Sequence, residues 1–389
     1  MRELEENWRK IIREEIEKET LVGAELIFLK DGKKICSIGE GMADREKETK
    51  MEENTIFRLY SMTKPVTAVA AMILIEQGKL KAERPVGDYL PAFKNSTVWV
   101  GDHEEQAKRP MLISDLCSMT SGLTYGDCDT PPENETRRLL KDAEESLKTE
   151  KPMTTREFAD RAGQIPLLFH PGTGWKYGIS ADILGAVMEE AAECSLGNLL
   201  QKNIFEPLEM EDSGFWVPES KQNRLAGAYE KTEAGIYPYR GSFLGIRNAM
   251  DRKAYFESGG AGLVSTARDY GAFAEMLLNK GIWKNVRILK MESVEKMFAG
   301  KLNRGQRQDF ENWFGQKGYD YSWLMRRLEN PSDAKEPGLR GEYCWDGWLG
   351  CGFWNYPKEN MSLIFMQQQL GGGDIVNRIK REVVGCYGD

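Results

Sequence analysis

The segment from residue 57 to residue 78 constrains the fold of this chain more than any other. Residues 57–60 alternate in the manner of a short strand, and residues 66–75 form an almost unbroken apolar run that predicts a helix ending at Gly78. A helix with no polar face is stable only inside a hydrophobic core. The chain must therefore fold around a junction, at Ser61, between a short strand and a buried helix.

Two chemically reactive side chains lie at this junction. Ser61 and Lys64 are three residues apart, and residues at this spacing share one face of a helix, so the hydroxyl and the amine can meet. Burial and the positive end of the helix dipole both disfavour the charged form of a lysine at this position. A neutral lysine beside a serine is a base beside a nucleophile, which is the arrangement that nucleophilic catalysis requires.

The Ser-x-x-Lys spacing occurs at two further places. Ser293 and Lys296 lie on a predicted amphipathic helix, and Ser332 and Lys335 lie in a loop rich in proline and charge. Neither pair stands between a strand and a buried helix, so we interpret both as surface residues. Of the three pairs, the one at Ser61 has the context of a catalytic site.

The scarcity of histidine favours the same pair. The sequence contains only His103, in a polar stretch, and His170, before a Pro-Gly turn, and the two are not spaced as metal ligands. No Gly-x-Ser-x-Gly elbow, the setting of a serine that is activated by histidine, occurs in the chain. If the chain is a serine hydrolase, we therefore expect its base to be lysine. We expect neither a metal nor a cofactor.

Charge and cysteine content exclude several classes of partner. The 389 residues carry a net charge of −8 and no dense run of lysine and arginine, so neither nucleic acid nor an anionic membrane is an expected partner. The seven cysteines are odd in number and no two are spaced as Cys-x-x-Cys, which argues against a disulfide framework and a structural zinc site. If the chain is a serine hydrolase, its expected partner is a small-molecule ester or amide substrate.

The first residues, the longest apolar run and the length of the chain predict its cellular location and its number of lobes. Residues 1–8 are charged from the start, unlike a secretory signal, and the apolar run after Lys64 is too short to cross a bilayer. We therefore predict a cytoplasmic protein. A chain of this length exceeds one ordinary core, so two lobes are expected.

The order of the predicted elements indicates an α+β fold. A charged helix, a hairpin that turns at Asp31-Gly32 and the buried helix come first, helices and loops fill residues 81–249, and strands return after residue 319 before a closing helix. We predict one antiparallel sheet built from both ends of the chain, flanked by helices, with an all-helical insertion. The predicted lobes are residues 1–80 with 250–389 and residues 81–249, with the active site between them.

With these elements placed, the chain resembles the serine β-lactamase and penicillin-binding-protein superfamily, and most closely its class C β-lactamase-like branch, which includes the family VIII carboxylesterases. Five stretches carry the resemblance, in the order that the family has them. They are Ser61-Met62-Thr63-Lys64-Pro65 with its helix, residues 111–122, residues 171–177, residues 259–268 and Trp345-Asp346-Gly347. The resemblance implies a β-lactamase/transpeptidase-like fold and acyl-enzyme chemistry.

The resemblance also implies roles for individual residues. Ser61 matches the acylated nucleophile, Lys64 the lysine that helps to deprotonate it, and Tyr177 the tyrosine that moves a proton between nucleophile, lysine and leaving group. The backbone N–H groups of Ser61 and Trp348 are expected to form the oxyanion hole. Gly260 lies in a glycine-rich turn, which we interpret as letting the backbone approach the substrate cleft.

Two positions depart from the family pattern. The tyrosine motif has Ile179 where asparagine is usual, and the third motif, usually Lys-Thr-Gly or His-x-Gly, is Trp345-Asp346-Gly347. Esterase-like members often have Trp-x-Gly at this place. Trp345 cannot hold a substrate carboxylate and Asp346 would repel one, which argues against a site built for penicillin. Residues 345–347 and Gly260 are predicted to contact the substrate, and three tryptophans are candidates for an apolar cleft wall: Trp345, Trp348 and Trp354.

Together these observations predict a serine hydrolase that acts on small carboxylic esters through an acyl-Ser61 intermediate. The alternatives on the same scaffold are a D-amino-acid peptidase or amidase, a weak β-lactamase and an acyltransferase. The alternative from another class is a non-catalytic binding protein of the same fold. That protein would be expected to lack the nucleophile, the lysine or the tyrosine, and all three residues are present here.

Overall fold

The computed structural model describes residues 2–371 and 373–388. In these ranges the α-helices are α1 (Arg2–Glu17), α2 (Thr63–Glu76), α3 (Ile113–Ser118), α4 (Pro131–Ser146), α5 (Thr155–Ala162), α6 (Ser180–Ala192), α7 (Leu196–Leu200), α8 (Ala267–Leu278), α9 (Met291–Ala299), α10 (Arg304–Phe314) and α11 (Ile375–Tyr387). The strands are β1 (Gly23–Lys30), β2 (Lys33–Asp44), β3 (Thr49–Lys50), β4 (Phe57–Arg58), β5 (Thr97–Val100), β6 (His103–Gln106), β7 (Tyr229–Thr232), β8 (Gly235–Pro238), β9 (Val264–Ser265), β10 (Ile282–Trp283), β11 (Val286–Arg287), β12 (Tyr319–Ser322), β13 (Met325–Leu328), β14 (Tyr343–Asp346), β15 (Gly352–Tyr356), β16 (Met361–Met366) and β17 (Gln369–Leu370).

The main sheet is antiparallel and is assembled from both ends of the chain. Its strand order is β12-β13-β14-β15-β16-β1-β2-β3. The two ends meet where β1 pairs with β16, with Glu25 opposite Met366. The predicted α+β fold, with one sheet built from both ends, is confirmed.

The hairpin between β1 and β2 turns where the sequence predicts it. Asp31 and Gly32 both have positive φ, 51° and 70°, which is the backbone of a two-residue turn that matches the twist of the flanking strands. The strand after the turn, β2, continues to Asp44.

Helices cover both faces of the main sheet. On one face the indole N–H of Trp8 in α1 donates to the Ile379 carbonyl of α11 at 3.1 Å, and its ring packs edge-on against Phe28 of β1. On the other face α8 lies against Leu29 and Ile364, which are close to Gly271. Because successive residues of a strand point to opposite faces, Phe28 and Leu29 anchor the two helical layers.

Helix α2 is the buried helix that the sequence predicts. Residues 63–74 of this helix are all buried, and it packs against α6 and α7. Across the described ranges, no helix combines the length and the apolar character needed to cross a bilayer. The cytoplasmic location stays a prediction.

Residues 81–249 contain helices α3 to α7, but the insertion is not all-helical as predicted. The segment also contains two short hairpins, β5 with β6 and β7 with β8, which are absent from the sequence predictions. Helix α10, in the other part of the chain, is absent from them as well. Its sequence has few aliphatic residues, so its apolar periodicity is weak.

Candidate active site

The strand-to-helix junction is held rigidly by backbone hydrogen bonds. Strand β4 pairs with β9, and the Leu59 N–H donates to the Leu263 carbonyl at 2.9 Å. A single 3₁₀ turn over Tyr60–Met62 then leads into α2. Tyr60, directly before Ser61, has a φ of 45°, a left-handed conformation that is costly for a non-glycine residue. Such strain occurs preferentially at functional sites.

The amine of Lys64 lies within hydrogen-bonding distance of three oxygen atoms. Its Nζ is 3.2 Å from Ser61 Oγ, 3.1 Å from the Tyr125 hydroxyl and 2.9 Å from the Gly260 carbonyl. A charged amine can donate to all three oxygens, whereas a neutral amine donates to two of them and can accept from the Ser61 hydroxyl. The meeting of hydroxyl and amine that the spacing predicts is present in the structure.

Burial gives Lys64 the properties of a base. The side chain is completely buried, and this lowers the pKa of Lys64 from 10.5 to about 7, although the carboxylates of Asp182 and Asp346 act in the opposite direction. The ammonium form loses its hydration on burial, which is why desolvation favours the neutral amine. A large fraction of Lys64 is therefore neutral at pH 7.

Tyr177 reaches Ser61 from the opposite side. It lies in the loop before α6, and its hydroxyl donates to Ser61 Oγ at 2.7 Å. Burial raises the pKa of Tyr177 above its ordinary value, partly offset by its hydrogen bonds with Ser61 and Trp345. The phenol therefore keeps its proton at neutral pH and can donate it. Ile179 is fully buried in the core, so the third position of this motif has a packing role here.

Two further residues complete the surroundings of Lys64. Tyr125 accepts from Lys64 Nζ, and its ring packs edge-on against Tyr177. Asp182, buried on α6, accepts from the Ser258 hydroxyl and from the Gly260 N–H, so it fixes the turn whose carbonyl faces Lys64. Neither Tyr125 nor Asp182 is among the sequence predictions, since neither belongs to a motif quoted for the resemblance.

The turn between β14 and β15 lies against the nucleophile. A Cβ atom on Gly347 would stand 2.1 Å from the Leu59 carbonyl, so only glycine fits at this contact. Gly347 and Trp348 line the same cleft as Ser61. The oxyanion hole formed by the N–H groups of Ser61 and Trp348 stays a prediction.

The third motif, residues 345–347, lies partly at the surface of the cleft and partly in the core. Trp345 is only 1% exposed and Trp354 only 2%, so of the three tryptophans expected along the cleft only Trp348 lines it. The ring of Trp345 instead packs against Tyr177, with the ring centroids 5.7 Å apart. Asp346 is at the cleft surface, where the buried Arg326 pairs with its carboxylate at 2.7 Å. This pairing reduces the repulsion of a substrate anion that the sequence predicts for Asp346.

The cleft above Ser61 has a volume of about 760 Å³, within the usual range of small-molecule sites. Its apolar walls come from several parts of the chain. The apolar side chains are Leu140 of α4, Phe243, Leu244, Trp313 of α10 and Trp348. Trp313 packs against Tyr177 with ring centroids 4.5 Å apart, so the unpredicted helix α10 contributes a wall of the site.

The two histidines lie elsewhere. His170 pairs with Glu105 at 2.9 Å, and His103 is exposed on β6. Neither lines the cleft that contains Ser61. The other two Ser-x-x-Lys pairs are also outside it.

A comparison with protein families decides the assignment. The family model described as Beta-lactamase matches residues 8–384. The chain belongs to the Beta-lactamase family. The match covers almost the whole sequence, including the Ser61 junction, Tyr177 and the turn at Gly347.

Individual relatives agree with this assignment. Protein Rv1367c of Mycobacterium tuberculosis is 29% identical over 348 residues, covering 86% of this chain and 83% of that protein. Esterase EstB of Burkholderia gladioli is 29% identical over 343 residues, covering 85% and 81%. The solved structure of EstCE1, described as a hydrolase with promiscuous acyltransferase activity, superposes with a TM-score of 0.84 at 26% identity, covering 98% of both chains.

These findings confirm the resemblance to the serine β-lactamase and penicillin-binding-protein superfamily and the fold that it implies. They also confirm the prediction that the chain is an enzyme of the serine hydrolase class. The roles of the individual site residues stay predictions.

Proposed function

We propose that the protein hydrolyses small carboxylic esters through an acyl intermediate on Ser61. One observation carries this proposal. Ser61 Oγ lies between Lys64 Nζ at 3.2 Å and the Tyr177 hydroxyl at 2.7 Å, beside a cleft of small-molecule size. A nucleophile, a neutral base and a proton donor are thus in mutual contact.

The proposed reaction begins when the carbonyl carbon of an ester meets Ser61. Neutral Lys64 takes the hydroxyl proton as the Ser61 oxygen bonds to that carbon. The N–H groups of Ser61 and Trp348 stabilise the negative oxygen of the tetrahedral intermediate. The intermediate collapses, and the leaving alkoxide takes a proton from Tyr177, which regains one from Lys64. Water then attacks the acyl carbon while Lys64 takes its proton. The bond to Ser61 Oγ breaks, the Ser61 oxygen regains that proton from Lys64, and the acid is released.

We further propose that the cleft lies between the two predicted lobes, residues 1–80 with 250–389 and residues 81–249. The origin of the cleft walls supports this division. Ser61, Trp313 and Trp348 come from the first lobe, while Tyr125 and Tyr177 come from the second. The same division places Lys64 in one lobe and its acceptor Tyr125 in the other.

The character of the cleft favours esters over peptides and penicillins. Its walls are largely apolar, and by the family resemblance Trp345 stands where penicillin-recognising members have the cation of the third motif. Arg326, which pairs with Asp346, is itself buried, so it is not available to a substrate carboxylate. The basic residues that do line the cleft, Arg137 and Lys141, come from α4 and not from the third motif. The names of Esterase EstB and of the hydrolase EstCE1 are consistent with ester cleavage.

The proposal is tested by assaying p-nitrophenyl butyrate and a chromogenic cephalosporin side by side. We expect wild-type protein to cleave the ester, and Ser61→Ala to lower kcat/KM by a factor of about 10³ or more. Ser293→Ala, at a second Ser-x-x-Lys pair on α9, is the matched control and should behave as wild type. Fast cephalosporin turnover would instead identify a β-lactamase, and turnover of neither substrate would contradict the ester hydrolase.

A further inference from the structure

A buried carboxylate lies behind the two tyrosines of the active site. Glu133, in the first turn of α4, is only 2% exposed and is not among the residues that line the cleft. Burial acts to raise the pKa of its carboxyl, but the hydrogen bonds and the charge of its partners outweigh burial and hold the pKa below its ordinary value. Glu133 is therefore ionised at neutral pH.

Two contacts of this carboxylate reach the residues directly before the tyrosines. Glu133 Oε1 accepts from the Thr124 hydroxyl at 3.3 Å, and Lys176 Nζ pairs with the same oxygen at 2.9 Å. Thr124 precedes Tyr125 in the chain, and Lys176 precedes Tyr177. One carboxylate oxygen thus joins the segments that carry both tyrosines of the site.

The backbone around these contacts is closely packed. A Cβ atom on Gly126 would stand 2.6 Å from the Glu133 carbonyl. A Cβ atom on Gly178 would stand 2.5 Å from the Leu123 carbonyl. Because these glycines directly follow the two tyrosines, the first turn of α4 and the two tyrosine segments touch through backbone atoms. Such packing leaves little room to absorb a shift of one segment relative to another.

The tyrosine hydroxyls depend on where these segments lie. The Tyr125 hydroxyl is 3.1 Å from Lys64 Nζ, and the Tyr177 hydroxyl is 2.7 Å from Ser61 Oγ. The two rings pack edge-on with centroids 5.4 Å apart, so a displacement of one ring moves the other. Hydrogen bonds weaken steeply when their geometry is distorted, which makes both contacts sensitive to a shift of either segment.

We propose that Glu133 is a positioning residue for acylation: through Thr124 and Lys176 it holds the two tyrosines of the site in place. The inference rests on the proposed hydrolase function, because it concerns the proton transfers of the same site. Glu133 does not line the cleft. Its effect is transmitted to Tyr177, which protonates the leaving alkoxide in the proposed reaction.

Loss of the charge should affect esters according to their leaving group. Glu133→Gln keeps the size of the side chain and an oxygen for Thr124, but it removes the ion pair with Lys176. The Lys176 ammonium retains Asp127, 3.4 Å away and at the cleft, so it moves toward the cleft and Tyr177 shifts with it. The 4-nitrophenolate ion leaves without a proton, whereas an alkoxide must receive one. The variant should therefore slow alkyl esters more than nitrophenyl esters.

The test compares p-nitrophenyl acetate with hexyl acetate, which form the same acetyl-enzyme and differ only in the leaving group. For Glu133→Gln we expect kcat/KM to fall about tenfold for the nitrophenyl ester and about 100-fold for the hexyl ester, since small misplacements of catalytic groups have effects of this size. Lys176→Met should give the same pattern. The double variant should be no worse than either single variant, because the two residues act as one unit.

Two controls separate this role from a general loss of stability. Glu135→Gln changes an exposed glutamate on α4 and should behave as wild type. Glu342→Gln breaks a fully buried ion pair with Lys380, also 2.9 Å long, so any loss of folded protein should lower both rates equally and leave their ratio unchanged. If Glu133→Gln lowers both rates by the same factor, or if its effect adds to that of Lys176→Met, the inference is overturned.

The two proposals fail in distinguishable ways. Wild-type protein that hydrolyses neither ester contradicts the ester hydrolase. The rate constant for labelling of Ser61 by a fluorophosphonate then decides on Glu133, as it does if only hexyl acetate is not hydrolysed, because fluoride leaves without a proton and the rate constant does not depend on how much protein is folded. Labelling about tenfold slower in Glu133→Gln supports the positioning role, and an unchanged rate overturns it. Wild-type protein that is neither labelled nor active overturns both proposals.

Discussion

Lys64 is a fully buried lysine whose hydrogen-bonding partners are the neutral oxygens of Ser61, Tyr125 and Gly260. Most buried lysines are stabilised by a carboxylate in direct contact, which keeps them charged. Here the acids, Asp182 and Asp346, act on Lys64 only at longer range. This environment favours the neutral amine, so Lys64 is suited to act as a base and not as a structural cation.

The pH dependence of activity should reveal that base. Because the pKa of Lys64 is lowered to about 7, the lysine is charged and inactive well below this pH and neutral above it. We expect kcat/KM for p-nitrophenyl butyrate to rise tenfold per pH unit below about pH 7 and to level off above it. A profile that is flat between pH 5 and 9, or that rises only near pH 10, would contradict this assignment.

Replacement of the lysine should remove turnover while leaving the fold intact. Lys64→Met keeps a similar length in a buried position but has no base, so we expect kcat to fall by a factor of about 10³. The melting temperature should stay within a few degrees of the wild-type value. Lys296→Met, at the exposed lysine of the pair on α9, is the control. Turnover near the wild-type level in Lys64→Met would show that another base operates.

The sequence reveals some site residues and conceals others for a physical reason. Ser61 and Lys64 are predictable because three residues on one helix suffice to bring them together. Tyr125 comes 61 residues after Lys64, and its approach depends on how the helical segment packs on α2. Trp345 illustrates the opposite case, since the motif indicates its position but not that its side chain turns into the core.

At the scale of elements, Gly347 joins two parts of the site. It ties the β14–β15 turn to Leu59, two residues before the nucleophile, through a contact too close for a side chain. We expect Gly347→Ala to push these segments apart and to lower kcat/KM about 100-fold, since small misplacements of reacting groups have effects of this size.

A matched glycine replacement controls for this prediction. Gly385 lies on α11, and a Cβ atom there would meet nothing within 4 Å, so Gly385→Ala should leave turnover unchanged and raise helix stability slightly. Equal activities of Gly347→Ala and the wild type would contradict the close contact at Leu59.

Elements fixed by local chemistry are the ones that the sequence predicts well. The Asp31-Gly32 hairpin and the apolar helix α2 each depend on neighbouring residues. Helix α10 does not, because its Trp313 packs against Tyr177, which is distant in the sequence.

At the scale of the whole molecule, the sheet that joins both ends of the chain contains an unusual buried acid. Glu25 of β1 is 0% exposed, and neither of its carboxylate oxygens has a hydrogen-bonding partner among the described residues. Burial raises the pKa of Glu25 from 4.5 to about 8. The folded protein therefore keeps this proton over a range in which the unfolded chain releases it.

Because of Glu25, the free energy of unfolding should fall as the pH rises. Between pH 4.5 and about 8 the unfolded state binds fewer protons than the folded state, so Glu25 lowers the free energy of unfolding by up to about 1.4 kcal/mol per pH unit, and the loss levels off above this range. Glu25→Gln has no proton to lose, so its urea midpoint should fall less than that of the wild type between pH 5 and 8. Glu3→Gln, at an exposed acid on α1, should follow the wild type. Parallel curves for Glu25→Gln and the wild type would show that Glu25 is not buried in the neutral form.

The central claim is that Ser61 is the nucleophile, and covalent labelling tests it most directly. The protein is treated with a fluorophosphonate, the intact mass is measured, and the modified peptide is sequenced by mass spectrometry. The account predicts a single adduct on the peptide that contains Ser61, and no adduct in Ser61→Ala. An adduct on another serine, or the absence of any adduct on active wild-type protein, would contradict it.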